Sequence, residues 1–315
     1  MTPEPNPTLP PDDKPIHHAA HLLRSESLSI EVMDPVDPER YNRGVRFSPV
    51  ANVLRACVEG RNFLYSPVEH EPQTENGGLA MEFDITTVGN PPPGFAEAAM
   101  GDGFLKVGVG VLRKETEQYN FFKAYEPLAL ARTAAQWARD TARFKQTCPG
   151  VNGYAYKLEA NVSAKANAAE VRCVLTNIGQ KPLSTEQYSH NYFLFDDAPV
   201  GPNYLLQFPF DFDVTGLQPD QRRDGRVIDF AKPFSPGVGS VNAVVIPPAG
   251  YQGPNELTVT NPAKGMKCRA SASLPIARIA VHATPAYLCP EMFVRIALQP
   301  GESREWTRRY EFEIA

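Results

Sequence analysis

No run of about 18 apolar residues occurs in the 315-residue chain, so no membrane-spanning helix is expected. Basic runs are missing as well. Lys and Arg are scattered, the net charge is −5 and the pI is near 5.8, which excludes the basic footprint of a nucleic-acid binder. Cysteine is scarce and dispersed: Cys57, Cys148, Cys173, Cys268 and Cys289 are odd in number, and no two are close enough for a metal knuckle. They read as buried free thiols in a reducing compartment. The first residues lack a basic segment followed by an apolar one, so no signal peptide is recognised and a soluble, cytoplasmic protein is expected. Gly-x-Ser-x-Gly, His-Glu-x-x-His and a Gly-rich loop leading into a helix are all absent, which removes motif support for a hydrolase triad, a zinc protease or a nucleotide site. Neither a metal nor a cofactor is expected.

Proline and glycine, by contrast, are abundant: 31 and 22 residues, placed between short apolar runs. That pattern suits many short strands joined by turns, an all-β sandwich with more than ten strands. Period-two alternation supports it. In "FLKVGVGVLRK", Phe104, Lys106, Gly108 and Gly110 fall on one face of a strand, and Leu105, Val107, Val109 and Val111 on the other. Residues 153–179 read as a hairpin turning at "AKAN". "VRIALQPGES" and "EWTRRYEFEI" read as two further strands joined by a Pro–Gly hairpin turn. "PLALARTAAQWARD" is the exception, because its alanines favour a helix. Residues 1–25 form a Pro-rich tail, expected to be disordered or loosely packed, and residues 26–315 a single domain. His17, His18 and His21 lie just after the Pro-rich start, as a metal-binding group or, more plainly, an exposed tail or a short cap on the domain.

Three positions carry candidate chemistry. His190 lies in "TEQYSHNYFLFDD". In an extended strand Tyr188, His190 and Tyr192 share one face, and His190 reads as a core histidine with a partner or as an acid–base group. Glu291, between Cys-Pro and Met-Phe-Val, must be paired or reach water, since an isolated buried carboxylate is costly. Glu82 sits among apolar residues in "GGLAMEFD", either at a strand end or held for a purpose, and His70 reads as a surface residue.

"TNIGQKPLSTEQYSHNYFLFDD" and "LCPEMFVRIALQPGESREW" resemble the aldose 1-epimerase family, the galactose-mutarotase-like proteins. "GLAMEFD" and "GDGFLKVGVGVLRK" are similar to a less characterised branch of it, and the likeness extends over most of residues 27–315. The resemblance implies a large antiparallel β-sandwich (a galactose mutarotase-like supersandwich) with an open sugar groove. It implies strands in place of the helix at 127–140, His190 as the acid and Glu291 as the base. The early Gly-Arg-x-x-Asn-Arg of the better-known mutarotases is absent, as is their further histidine. Arg46 in "GVRFSPVAN" is a loose match to the former, and His70 does not match the latter.

Anomer interconversion needs a proton removed from the C1 hydroxyl and one delivered to the ring oxygen, with no cofactor. Arg46, Glu82, Tyr188 and Asn191 are the candidate sugar-binding groups. The expected partner is a small-molecule carbohydrate, not nucleic acid or a membrane. Three readings stay open: an aldose 1-epimerase for a free sugar, a non-catalytic sugar-binding or sensor protein, and a mutarotase for a phosphorylated sugar. The last would want two or more converging arginines, for which Arg43 and Arg46 are candidates.

Overall fold

The computed structural model describes residues 14–84, 91–234 and 240–315. Among them there is no α-helix, only strands and two short 3-10 turns. The strands form two ten-stranded antiparallel sheets and one three-stranded sheet.

In chain-crossing order, the first sheet runs Ala20–Arg24, Leu28–Met33, Val53–Val58, Leu79–Phe83, Leu183–Asn191, Tyr287–Leu298, Arg278–Thr284, Val241–Ile246 and Asp213–Thr215, with Arg61–Asn62 beside the third. The second runs Gln221–Asp224, Val227–Phe230, Leu205–Gln207, Asn255–Asn261, Met266–Ala272, Ser303–Ile314, Ala168–Asn177, Tyr154–Lys165, Thr141–Val151 and Arg132–Trp137. The two inner faces meet in one apolar core. Phe63 packs on Phe312 with ring centres 5.0 Å apart, and Phe83 meets Trp306 edge-on at 6.3 Å. Strict alternation produces this arrangement. On Ser303–Ile314, Trp306, Arg308, Tyr310 and Phe312 are buried, and the residues between them are not.

The 153–179 hairpin forms as expected, pairing Tyr154–Lys165 with Ala168–Asn177. Several expectations change. The Ala-rich stretch is extended, as strands Pro127–Leu130 and Arg132–Trp137, because ladder pairing with Gly110–Arg113 and with Thr141–Val151 respectively overrides its helix propensity. "FLKVGVGVLRK" is a hairpin, not one strand: Gly103–Lys106 pairs with Gly110–Arg113, and Gly108 takes the turn at φ +83°. The Pro–Gly turn at 299–303 does not close a hairpin, since Tyr287–Leu298 lies in the first sheet and Ser303–Ile314 in the second. The tail boundary also moves. Residues 1–13 are outside the described residues, but Ala20–Arg24 is a paired strand of the first sheet. His17 is buried, with Nδ1 2.7 Å from Glu31 and Nε2 2.9 Å from the Ser66 carbonyl, and His21 stacks on Trp137.

Candidate active site

The site lies on the outward face of the first sheet, where its two central strands come apart. Leu183–Asn191 and Tyr287–Leu298 pair from Leu183 opposite Leu298 to Gln187 opposite Val294. They meet again where Phe193 bridges Leu288. The register is the same at both ends. Carried through the gap, it sets Tyr188 against Phe293, His190 against Glu291 and Asn191 against Pro290. Pro290 has no N–H to give to a ladder. Side chains supply bonds along the seam instead. The Asn191 amide donates to the Pro290 carbonyl at 2.7 Å, and the Tyr310 hydroxyl donates to the Asn191 oxygen at 2.9 Å. Arg308 reaches across from the second sheet and donates to the Met292 carbonyl at 2.8 Å and to the Gln187 side-chain oxygen at 2.9 Å.

The seam explains where each expected residue goes. His190 and Glu291 face outward together, His190 Nδ1 lying 2.9 Å from Glu291 Oε1, and both are more than nine-tenths buried. Asn191, expected to bind substrate, points the other way. It is fully buried between the sheets and holds the seam, because neighbours on a strand face opposite sides. Glu82 and Tyr188 sit opposite each other in adjacent strands, beneath His190, and neither lines the groove. Arg46 does line it, from the loop that crosses Glu82 by the Phe47–Glu82 bridge. Arg43 pairs with Glu39, and His70 stacks on Tyr41; neither lines the groove.

Glu82 is the electrostatic centre. Its carboxylate accepts from Arg46 Nε at 3.0 Å, from His190 Nε2 at 3.0 Å and from the Tyr188 hydroxyl, and Lys106 Nζ lies 3.9 Å from its other oxygen. Lys106 is itself fully buried and donates to the Phe83 carbonyl. Burial alone would raise the Glu82 pKa, but Arg46, His190 and Lys106 together hold it down at about 2. Glu82 in turn holds Arg46 charged against the penalty of burial. For His190, burial favours the neutral ring, yet Glu291 and Glu82 outweigh it and raise its pKa. The ring thus lies between two carboxylates that favour its charged form, Nδ1 2.9 Å from Glu291 and Nε2 3.0 Å from Glu82, with Arg46 Nη2 3.3 Å from Nε2 opposing them. The Tyr188 and Tyr192 phenols are pushed well up by burial and stay neutral.

Above this layer opens a groove of about 680 Å³, a size suited to a small organic ligand. Phe121 and Phe122 form one wall, with the Arg46 guanidinium 4.8 Å and 5.1 Å from their ring centres. His282, Arg278 and Tyr287 form another. Burial lowers the His282 pKa. Its neutral ring donates from Nδ1 to Asn242 at 2.8 Å and accepts from the Tyr287 hydroxyl at 3.2 Å. Sequence reasoning did not single out these groups. Alternation in "RIAVHAT" does set Arg278, Ala280 and His282 on one face, which was the available signal. Cys289 was also overlooked. It shares the outward face with Glu291, and its Sγ, His190 Nδ1 and Glu291 Oε1 lie within 4.8 Å of one another, the one such set of three metal-ligand types found among the described residues.

No family model matches the chain, and no curated protein does. Solved structures are similar to it. A provisionally assigned aldose 1-epimerase of Escherichia coli K12 superposes with a TM-score of 0.60 at 16% identity, covering 94% of this chain and 99% of that one. The GalM/aldose epimerase homologue of Caenorhabditis elegans gives 0.54 at 12% identity over 94% and 100%. A galactose mutarotase-like protein of Lactobacillus casei gives 0.52 at 12% over 93% and 100%. The fold is thus the galactose-mutarotase-like β-sandwich.

Proposed function

We propose that the protein interconverts the anomers of a neutral aldose, with His190 as acid and Glu291 as base. The observation that carries this reading is the 2.9 Å contact between His190 Nδ1 and Glu291 Oε1 at the floor of the groove. The hydroxyl and ring oxygens of a hemiacetal share one carbon. A donor and an acceptor that serve both must therefore both reach that carbon's two oxygens. In the proposed reaction the Glu291 carboxylate takes the C1 hydroxyl proton and the His190 imidazolium gives its Nδ1 proton to the ring oxygen. The bond from C1 to the ring oxygen breaks and the C1 carbonyl forms. The C1–C2 bond rotates, and the ring recloses with both transfers reversed. Glu82 keeps the imidazolium charged and oriented through Nε2. The Phe121–Phe122 wall would take the C–H face of the sugar.

The arginines favour a neutral sugar over a phosphorylated one. Arg46 is paired to Glu82 and Arg278 to Glu186, so neither guanidinium is without a carboxylate. Exchange NMR with separated anomers of free hexoses, pentoses and their phosphates is the test. Enzyme-dependent exchange of a free aldose, faster than of its phosphate, is expected. Binding without exchange across the panel would leave a sugar-binding protein, and preference for a phosphate would overturn the neutral-sugar reading.

A further inference from the structure

The three atoms that meet at the groove floor have a second use. We infer that Cys289 Sγ, His190 Nδ1 and Glu291 Oε1 form a binding site for a thiophilic divalent cation of the zinc class. Sγ stands 3.7 Å from each of the other two, which stand 2.9 Å from each other. A tetrahedral zinc ion with ordinary bond lengths separates a sulfur from a nitrogen or oxygen ligand by about 3.6 Å, and nitrogen from oxygen by about 3.4 Å. Two edges of the triangle match already, and the third needs an opening of about half an ångström.

Two further features fit. A metal-bound histidine characteristically donates its other ring nitrogen to a carboxylate, which fixes the tautomer and strengthens the ligand. His190 Nε2 is 3.0 Å from Glu82 Oε2, and Glu82 is itself fixed by Arg46 and Tyr188. His190 and Glu291 also line the groove. Two of the three ligands line the cavity and Cys289 lies buried behind them, which leaves the fourth position to water or a ligand from the groove, the pattern of an open zinc site rather than a closed structural one. Cys289 and Glu291 are two residues apart on one strand face, and His190 comes from the strand across the seam. Binding would release the Cys289 thiol proton and the His190 Nδ1 proton to buffer, with no change of oxidation state.

Occupancy would take Nδ1 and Oε1, the two atoms the proposed anomer exchange uses. Zinc is therefore an inhibitor of that exchange, a consequence that rests on the proposed function, whereas the site itself does not. The test uses the full chain, stripped with a chelator that is then removed. Cobalt(II) alone should bind one per chain, giving a thiolate-to-cobalt absorption in the near ultraviolet and intense visible bands, both lost when zinc is added. Cys289→Ser should abolish the ultraviolet band and weaken zinc binding by about 100-fold or more, and Glu82→Gln by about 10- to 100-fold. Zinc should slow wild-type exchange far more, relative to the zinc-free rate, than it slows Cys289→Ser. A wild-type cobalt spectrum without thiolate absorption would overturn the site, a result that needs no variant to fold. Zinc binding to Cys289→Ser as tight as to wild type would overturn it equally. Failure of anomer exchange in metal-free protein, with the cobalt spectrum present, would instead sink the catalytic reading and leave the site standing.

Discussion

Glu82→Gln is the most informative single substitution. Glu82 is fully buried and has three cationic groups around it: Arg46, Lys106 and His190. The amide keeps the shape and cannot neutralise them. Two routes give the size of the loss. Removing one member of a buried ion pair costs roughly 3–5 kcal/mol, because the remaining charge stays desolvated. Separately, the Glu82 carboxyl is held at about 2 against an ordinary 4.5; at about 1.4 kcal/mol per unit that gap corresponds to roughly 3 kcal/mol. The sign follows from a depressed acid. The contribution is fully present above pH 4.5 and is lost as pH falls through about 2, where the carboxyl is protonated in both states. Urea unfolding of wild type and variant in metal-free buffer should thus differ by roughly 3 kcal/mol at pH 7. The difference should shrink steadily as pH is lowered from 4.5 toward 2. A difference below about 1 kcal/mol at pH 7, the range of an exposed pair, would refute the idea that Glu82 organises this charge network. So would a difference that does not change with pH.

Other outcomes test other links. His190→Asn should still bind sugar and slow exchange by at least about 10²-fold, beyond any loss of folded protein, when single-turnover exchange is compared with a sugar-binding titration. Glu291→Gln should slow exchange by about 10²–10⁴-fold beyond any loss of folded protein; exchange within about tenfold of wild type would place the base elsewhere. Arg308→Met should lower stability by roughly 1–3 kcal/mol in urea unfolding, because the Met292 carbonyl and the Gln187 side chain lose their buried donor; unchanged stability would mean that the seam does not depend on Arg308. His17→Ala should lower the melting temperature, since Glu31 loses its side-chain partner His17 and, among the described residues, retains Arg55 and backbone donors from the segment before Ala20–Arg24.

Local chemistry determined the strands. Alternation marked the buried face of Ser303–Ile314, and the turn residues around Ala166 marked the 153–179 hairpin, because a half-buried strand writes its period directly into the residues. The same alternation put Tyr188, His190 and Tyr192 on one face. It equally implied that Asn191 must leave that face, a consequence that the resemblance to sugar-binding sites obscured. Pairing partners were not legible. "VRIALQPGES" and "EWTRRYEFEI" carry hairpin-like turn chemistry yet enter different sheets, and the helix-prone alanines at 127–137 became strands because Gly110–Arg113 lies alongside the first part and Thr141–Val151 alongside the second. The site is the extreme case. His190 and Glu291 are 101 positions apart in the chain, and nothing local announces that they oppose each other across an open seam. That seam depends on Pro290 in one strand, Asn191 in the next and Arg308 from the other sheet. Whether a histidine is a neutral core residue or an imidazolium between two carboxylates depends on charges within about 4 Å, and only the folded chain brings Glu82 and Glu291 that close.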